Sequence, residues 1–250
     1  MALRRLLATL FLTLFAGTAL AQPLRVALSP DYMPLAFKNE GTLVGIEVDN
    51  AREVGKFLGR KVKFVEMNSA DYIEALNSDK VDVVMSGFSV TPERRAQVDF
   101  VTPFMEIGQM AIILATNAAR LAHPRALHQP GVRIGVEPGT TGEAFVRETF
   151  PDATVLNYPN PSYAFAALRA NAADVYVHDA PTSWNLASSR ENQDLLSLYR
   201  PLTREALGWA VKKGNVRLLN ELEAALDELK RNGRLNAIQN YWIPVTVQVR

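Results

Sequence analysis

The sequence of 250 residues contains no cysteine. This absence excludes disulfide bonds, thiol nucleophiles, cysteine zinc sites and iron–sulfur clusters. An excess of one charge is also missing, because 27 Lys and Arg residues stand against 26 Asp and Glu residues, a formal net charge of +1. No run of basic residues exceeds two, which is a poor footprint for a nucleic-acid-binding protein, and we expect no nucleic-acid partner.

Low-complexity and fibrous patterns are absent as well. Fourteen Gly and fourteen Pro are scattered along the chain, and 48% of the residues are hydrophobic, a composition typical of a globular protein. At about 150 residues per domain, the length allows one large or two small lobes.

The long apolar stretch of this sequence stands at its start. Arg4 and Arg5 precede an apolar run over residues 6–16, and Ala19-Leu20-Ala21 has the small-x-small pattern of a cleavage site. The pattern predicts a secretory signal peptide over residues 1–21, cleaved near Ala21, and an exported product. The apolar run is shorter than the roughly 20 residues that a spanning helix needs, which argues against a membrane anchor.

Strand and helix patterns alternate along the rest of the chain. We predict an α/β fold of two lobes with a hinged cleft between them, a common place for small-molecule sites. Lobe 1 is expected over residues 22–113 plus 206–250, and lobe 2 over residues 114–205. The predicted strands are 24–28, 62–65, 81–85, 111–114, 131–136, 153–156, 174–177 and 207–211. The predicted helices are 48–58, 69–76, one opening at 91, one opening at 139–143 and ending near 150, 163–170, 181–188, 218–229 and 235–242.

Two segments have the residue types that bind anions. Thr91-Pro92-Glu93-Arg94 places a guanidinium in the first turn of a helix, where a carboxylate is favoured both by two parallel hydrogen bonds and by free backbone N–H groups. A solvated surface arginine is the simpler alternative, and it fits the adjacent Arg95 better. Residues 135–142 are glycine-rich at a strand-to-helix junction, and they indicate either an anion-binding nest or a plain tight turn.

Polar residues also end two predicted strands. Residues 85–89, at the end of the predicted strand 81–85, include small and hydroxyl side chains. These side chains either bind a ligand or only terminate the strand. His178-Asp179 ends another, where Asp179 either binds a ligand or caps the following helix. The three histidines lack metal-ligand spacing and no Gly-x-Ser-x-Gly motif occurs, so we expect no catalytic residue, no metal and no cofactor.

Nearly all of the chain after residue 21 resembles the family-3 solute-binding proteins, the polar amino-acid receptors of bacterial ABC importers. The matching motifs, in order, are residues 31–35, 43–49, 82–87, 91–94 with 98–103, 134–136 with 139–141, and 207–211. The resemblance implies a type II periplasmic-binding fold that closes on its ligand by hinge motion. It also implies an amino acid as ligand, a membrane ABC permease as partner and a monomeric protein.

The resemblance assigns ligand contacts by position. It implies that Arg94 holds the ligand carboxylate bidentately and that Thr141, with Gly139 and Thr140, contacts it from the second lobe. Asp179 and Ser89 would meet the α-ammonium with help from the Gly87 carbonyl, and Tyr32 would form an aromatic wall.

Three positions bear on the ligand side chain: Ser29, Phe88 and Glu137. Ser29 stands where receptors for basic amino acids often have Asp, which weakens a cationic assignment, whereas the charge of Glu137 could restore it. We therefore expect a polar L-amino acid, with the cationic ones slightly favoured.

Two alternatives remain open. One is a non-amino-acid carboxylate as ligand. The other is a cyclohexadienyl dehydratase, which resembles these receptors closely. In those enzymes a Glu acting as general acid lies three residues after the Asp that matches Asp179, and Thr182 stands there in this chain.

Overall fold

The structure is a computed structural model that describes residues 22–198 and 200–243. The predicted signal peptide, residues 1–21, lies outside these ranges. Among the described residues, no helix is both long enough and apolar enough to cross a membrane.

The chain alternates strands and helices. The strands are β1 Leu24–Leu28, β2 Asp31–Tyr32, β3 Ala36–Asn39, β4 Thr42–Val44, β5 Val62–Glu66, β6 Val83–Val84, β7 Val98–Phe100, β8 Met105–Ile107, β9 Gln109–Leu114, β10 Arg133–Val136, β11 Thr154–Asn157, β12 Val175–Asp179, β13 Leu195–Ser197, β14 Glu205–Leu207 and β15 Ala210–Lys212. The helices are α1 Ile46–Leu58, α2 Tyr72–Asn77, α3 Pro92–Arg95, α4 Ala118–Leu121, α5 Thr141–Thr149, α6 Pro161–Arg169, α7 Ala180–Ser188, α8 Val216–Arg231 and α9 Arg234–Trp242.

Two five-stranded mixed sheets organise the protein into two α/β lobes, as predicted. The first has the strand order β5-β1-β6-β15-β7 and the second the order β11-β10-β12-β9-β13. In each sheet the central strands are parallel, and the strand that enters from the other lobe, β15 or β9, pairs antiparallel with one of them. Such sheets bind ligands beyond the carboxyl ends of their parallel strands.

Both sheets are covered on both faces, so their central strands are largely apolar, whereas the edge strands β5 and β11 have exposed polar residues. On β1, Val26 packs in the cluster of α1, α8 and α9, while the next residue, Ala27, packs with Tyr72 and Leu76 of α2. On β12, Val177 packs with Val146 of α5, and its neighbours on the strand face the opposite side. Each lobe therefore has its own core.

Two crossing segments connect the lobes. The chain leaves the first sheet after β7 and passes through β8 into β9, then returns from β13 through β14 into β15; β8 and β14 pair antiparallel. The predicted boundary at residue 205 lies in β14, whereas the one after residue 113 would divide β9, which pairs along its length with β12 and β13. We propose that the lobe boundaries lie in β8 and β14.

Most predicted elements occur within a few residues of their expected ends, and the exceptions are short strands. The expected strand over residues 207–211 is divided into β14 and β15 by Gly208 and the buried Trp209. The loop expected after residue 28 includes β2, which joins β3 and β4 in a small sheet. These strands have two to four residues, too few to show a period in the sequence.

A buried carboxylate in α1 fixes the end of β6. Glu47 is fully buried, and its two oxygens accept hydrogen bonds from the Gly87 N–H at 2.9 Å and the Trp209 indole at 3.0 Å. Gly87 has φ +62°, and a Cβ there would lie 2.4 Å from Leu35. The turn after β6 therefore requires glycine and depends on Glu47 for its orientation.

This carboxylate predicts a pH dependence of stability. Burial raises the pKa of Glu47 to about 7, although the hydrogen bonds from Gly87 and Trp209 favour the ionised form. The folded protein then binds the proton more tightly than the unfolded chain, whose pKa is near 4.5. The free energy of unfolding should therefore fall by about 3 kcal/mol as the pH rises from roughly 4.5 to 7.

Denaturation of wild type and Glu47→Gln across this pH window measures the effect, since the variant lacks the titrating group. The stability of wild type relative to the variant should decline from pH 4.5 to 7 and then level off. Glu74→Gln, which removes an exposed carboxylate, is the control and should leave the wild-type slope in place. A difference between wild type and Glu47→Gln that does not change with pH would contradict the prediction.

Candidate functional site

A cavity lies between the two lobes, at the carboxyl ends of the central strands. Ten of the eleven residues proposed from the sequence line it. They are Ser29, Tyr32, Gly87, Phe88, Ser89, Arg94, Glu137, Thr140, Thr141 and Asp179. The cavity measures about 30 Å³, room for about two water molecules, so an amino acid can enter only when the walls move apart.

Sequence analysis missed four lining residues as ligand contacts: Ser69, Tyr72, Ser86 and His178. Ser86 and His178 stand in the two strand ends that the sequence marked as polar. Ser69 and Tyr72 lie at the start of α2, where Ser69 follows the ordinary pattern of a helix start. The phenol of Tyr72 donates to Ser86 Oγ at 2.8 Å, and the same oxygen accepts the Ser29 N–H at 2.9 Å.

Arg94 contacts both lobes. Its Nη1 donates to the Ser89 carbonyl at 2.8 Å and its Nη2 to the Gly139 carbonyl at 2.9 Å. Its Cζ lies 4.0 Å from the centroid of the Phe88 ring, within the range of a cation–π interaction. Among the described residues no carboxylate forms an ion pair with Arg94, so this half-buried cation remains available to an anion.

The helix that carries Arg94 is too short to have a strong helix dipole. Thr91 caps it as predicted, accepting the Arg94 N–H at 3.2 Å, and Pro92 occupies its first turn. However, α3 spans only Pro92–Arg95, and a helix dipole is a sum over many aligned peptide units. The guanidinium itself is therefore the main source of positive charge on this wall.

Gly139, the eleventh proposed residue, does not line the cavity. Its N–H donates to Glu143 Oε2 at 2.9 Å, and its carbonyl accepts from Arg94. A Cβ at Gly139 would lie 2.7 Å from Cα of Ala70 in lobe 1. The glycine-rich segment therefore acts here as a tight turn that touches the opposite lobe.

Asp179 uses its side chain in the cavity and not as a helix cap. It precedes α7 without a capping side-chain hydrogen bond. Its two oxygens accept hydrogen bonds from the Tyr32 phenol of lobe 1 and from Gln109 Nε2. Burial and the charge of Glu205 raise the pKa of Asp179, whereas His178 and the two donors act against this shift.

A hydrogen-bond network behind Asp179 reaches the crossing strand β14. Glu205 Oε1 accepts from Gln109 Nε2 at 3.1 Å and from Thr203 at 2.6 Å, and its Oε2 accepts the Thr141 hydroxyl at 2.6 Å. The Thr141 hydroxyl is therefore already used by Glu205. An anion at this wall would instead be bound by the backbone N–H groups at the start of α5.

Glu137 and His178 form a buried pair of a carboxylate and an imidazole. His178 Nε2 lies 3.4 Å from Glu137 Oε2, and Ser69 Oγ lies 3.4 Å from Oε1. On its other side, His178 Nδ1 lies 2.9 Å from the Thr182 hydroxyl. Tyr32 meets the imidazole edge-on, with ring centroids 5.0 Å apart.

Comparison with known proteins agrees with this architecture. The profile of the bacterial extracellular solute-binding proteins, family 3, matches residues 24–245. The ABC transporter glutamine-binding protein GlnH of Bacillus subtilis is 30% identical over 208 residues, 82% of this chain and 74% of that protein. Cyclohexadienyl dehydratase of Pseudomonas aeruginosa is 33% identical over 158 residues, 63% of this chain and 59% of the enzyme.

Solved structures share the whole fold. The ancestral amino-acid-binding protein AncCDT-1, described as a precursor of cyclohexadienyl dehydratase, has a TM-score of 0.83 and 34% identity and covers 88% of this chain and 95% of its own. An ancestral arginine-binding protein bound to arginine has a TM-score of 0.82 and 34% identity, covering 88% and 97%. The chain therefore belongs to the bacterial extracellular solute-binding proteins of family 3.

Proposed function

We propose that this protein is a periplasmic receptor that captures a polar L-amino acid between its lobes and delivers it to a membrane ABC permease. The observation that carries the proposal is the pair of opposite charges in one interlobe cavity, Arg94 on the lobe 1 wall and Asp179 on the lobe 2 wall. An α-amino acid carries the two complementary charges, a carboxylate and an ammonium, whatever its side chain.

Each end of the ligand has a suitable partner. The planar guanidinium of Arg94 binds a carboxylate through two parallel hydrogen bonds, and the start of α5 offers backbone N–H groups to the same anion. Asp179 accepts two hydrogen bonds already, and a carboxylate can accept about four. The α-ammonium would use the remaining sites, with Ser89 and the Gly87 carbonyl beside it and Tyr32 as the wall.

Binding would close the cleft. Neither lobe alone surrounds the ligand, so the contacts on both sides form only when the lobes meet. A ligand shifts such an equilibrium by the free energy that it gains in the closed state relative to the open one. The relatives named as parts of ABC transporters support delivery to a permease, and we propose that the receptor acts as a monomer, without nucleic acid, in the periplasm.

A binding screen tests this proposal. Thermal unfolding of refolded, ligand-free protein should respond to one chemical group among the twenty amino acids and a set of small dicarboxylates. A ligand at a hundred times its Kd adds about 2.7 kcal/mol, or roughly 5–10 °C in Tm at this size. A shift from dicarboxylates alone would favour the non-amino-acid alternative, and silence from all amino acids would reject the proposal.

Removal of the guanidinium should weaken binding strongly. Arg94→Ala leaves the ligand carboxylate without its charged partner, and we expect a loss of about 2–5 kcal/mol by calorimetry. Arg95→Ala is the matched control, because Arg95 is exposed, with its Cζ 5.8 Å from the Phe100 ring centroid. Equal affinities in the two variants would show that Arg94 does not hold the ligand.

We propose that the protein is not a dehydratase, although the relative from Pseudomonas aeruginosa makes this the alternative to test. Thr182, at the position of the family enzyme's general acid, is buried and directs its hydroxyl to His178 Nδ1. A threonine hydroxyl is too weak an acid to donate a proton to a leaving group at neutral pH.

With prephenate as substrate, we therefore expect no phenylpyruvate formation above the uncatalysed rate. Phenylpyruvate is measured by its absorbance under alkaline conditions. The cyclohexadienyl dehydratase relative provides the positive control. Protein-dependent phenylpyruvate formation that saturates with prephenate and is lost in Asp179→Asn would overturn the assignment and establish an enzyme.

A further inference from the structure

The cavity holds more charge than the backbone of an amino acid can neutralise. Arg94 and Asp179 match the ligand α-carboxylate and α-ammonium, and Glu137 and His178 remain. Both residues are at least nine-tenths buried, with 8% and 4% of their surface exposed, and both line the cavity. A buried carboxylate is costly unless it is paired and hydrogen-bonded, so this second pair needs an explanation.

The bonds that Glu137 makes are too long to satisfy it. Its contacts with His178 and with Ser69 are both 3.4 Å, whereas hydrogen bonds to a carboxylate normally measure about 2.5–2.9 Å. A carboxylate can accept about four hydrogen bonds. Glu137 thus faces the cavity with capacity for a further donor, and a cation is the donor that a carboxylate binds best.

The surroundings of His178 tolerate both of its protonation states. Thr182 can donate its hydroxyl hydrogen to Nδ1 of a neutral ring, or rotate and accept Nδ1–H of an imidazolium. In either state Nε2 can carry the hydrogen that points to Glu137. A proton can therefore be gained or lost at His178 without any change in the heavy-atom contacts.

We propose that Glu137 and His178 form the side-chain subsite for a cationic amino acid, and that the ligand cation replaces the proton that His178 carries in the free protein. The inference rests on the proposed function and adds to it a substrate class, the amino acids with a guanidinium or ammonium side chain. A neutral side chain would leave the proton in place.

Repulsion beside the Glu137 carboxylate is the physical reason for the exchange. In a cavity of low dielectric, a ligand cation and an imidazolium beside one carboxylate repel each other strongly. Loss of the His178 proton leaves a neutral ring and removes this repulsion. Glu205 adds a negative charge on the Asp179 side of the cavity, where Gln109 and Thr141 donate hydrogen bonds to it. The groups that face His178 are Glu137 from the end of β10, Asp179 and Tyr176 from its own strand, Tyr32 from β2, and Tyr72 and Arg94 across the cavity.

The surroundings of His178 stabilise the protonated ring. Burial acts to lower the pKa of His178, but the hydrogen bond to Glu137 and the charges of Asp179 and Glu137 raise it above its ordinary value. A cation bound to Glu137 counteracts the support that this carboxylate gives. Near pH 6, arginine binding should therefore release up to one proton.

Calorimetry on the wild-type protein tests the proposal directly. Arginine and glutamine are titrated at pH 6 in phosphate and in bis-Tris, whose ionisation enthalpies differ, so that proton release follows from the two binding enthalpies. Glutamine has the same α-groups as arginine, so its titration reports any proton that Asp179 releases when the α-ammonium binds. We expect more protons to be released with arginine than with glutamine, by up to one per ligand bound. Between pH 5.5 and 7, the Kd for arginine relative to glutamine should fall by up to tenfold per pH unit.

Two variants assign the effect to the pair. His178→Gln should bind arginine with the proton release reduced to the level seen with glutamine, whereas His128→Gln, which changes an exposed histidine outside the cavity, should keep it. Glu137→Gln should weaken arginine binding at least tenfold more than it weakens glutamine binding. The wild-type measurement decides the proposal even if a variant does not fold.

The outcomes separate this inference from the proposed function. Glutamine binding without arginine binding, or arginine binding with no proton release beyond that of glutamine, would overturn the subsite and leave an amino-acid receptor. No binding of any amino acid would overturn the proposed function itself, and the subsite with it.

Discussion

The contact of Arg94 with main-chain carbonyls from both lobes is the interaction on which the cleft depends. Ser89 belongs to lobe 1 and Gly139 to lobe 2, so one guanidinium joins the walls without being neutralised. Carbonyl dipoles stabilise a cation less than a carboxylate does. A ligand carboxylate would therefore replace weak partners with a strong one, and the group that holds the lobes together is also the group that gains most from binding.

Two further polar contacts across the cleft have the same character. The Tyr32 phenol reaches Asp179, and the Ser69 hydroxyl reaches the Pro138 carbonyl at 3.0 Å. These are polar groups that a ligand's own charged ends could replace.

An apolar cluster also joins the lobes beside the crossing strands, where Leu35 of lobe 1 packs with Met110 and Ala180 of lobe 2. Ile107 of β8 and Leu207 of β14 belong to the same cluster, so the crossing strands join the lobes through apolar side chains as well as through backbone pairing. The larger cores on the two faces of each sheet lie within one lobe. We therefore infer that opening the cleft costs less free energy than unfolding a lobe.

The sequence predicted the fold well where elements are long and periodic. The pattern in residues 48–58 identifies α1, which begins two residues earlier at Ile46, and the alternation of strand and helix identifies two similar lobes. The shortest strands could not be predicted, because β2, β8 and β14 have two or three residues and form only when a partner is present. The predicted boundary after residue 113 lies inside β9 for a related reason, since the sheet to which a strand belongs depends on pairing with residues far along the chain.

In the candidate site, too, some features could be predicted from the sequence and others could not. Arg94 and Asp179 could be proposed from sequence because each stands at an element's end beside a recognisable motif. The Glu137–His178 pair could not, since the residues are 41 positions apart and neither belongs to a ligand-spacing pattern. The parallel register of β10 and β12, Ile134 opposite Val175 and Gly135 opposite Tyr176, brings them together when it is continued by two residues. The same register that builds the lobe 2 sheet thus places a carboxylate and an imidazole side by side in the cavity, so the charge of this wall follows from the fold of lobe 2 before any ligand is bound.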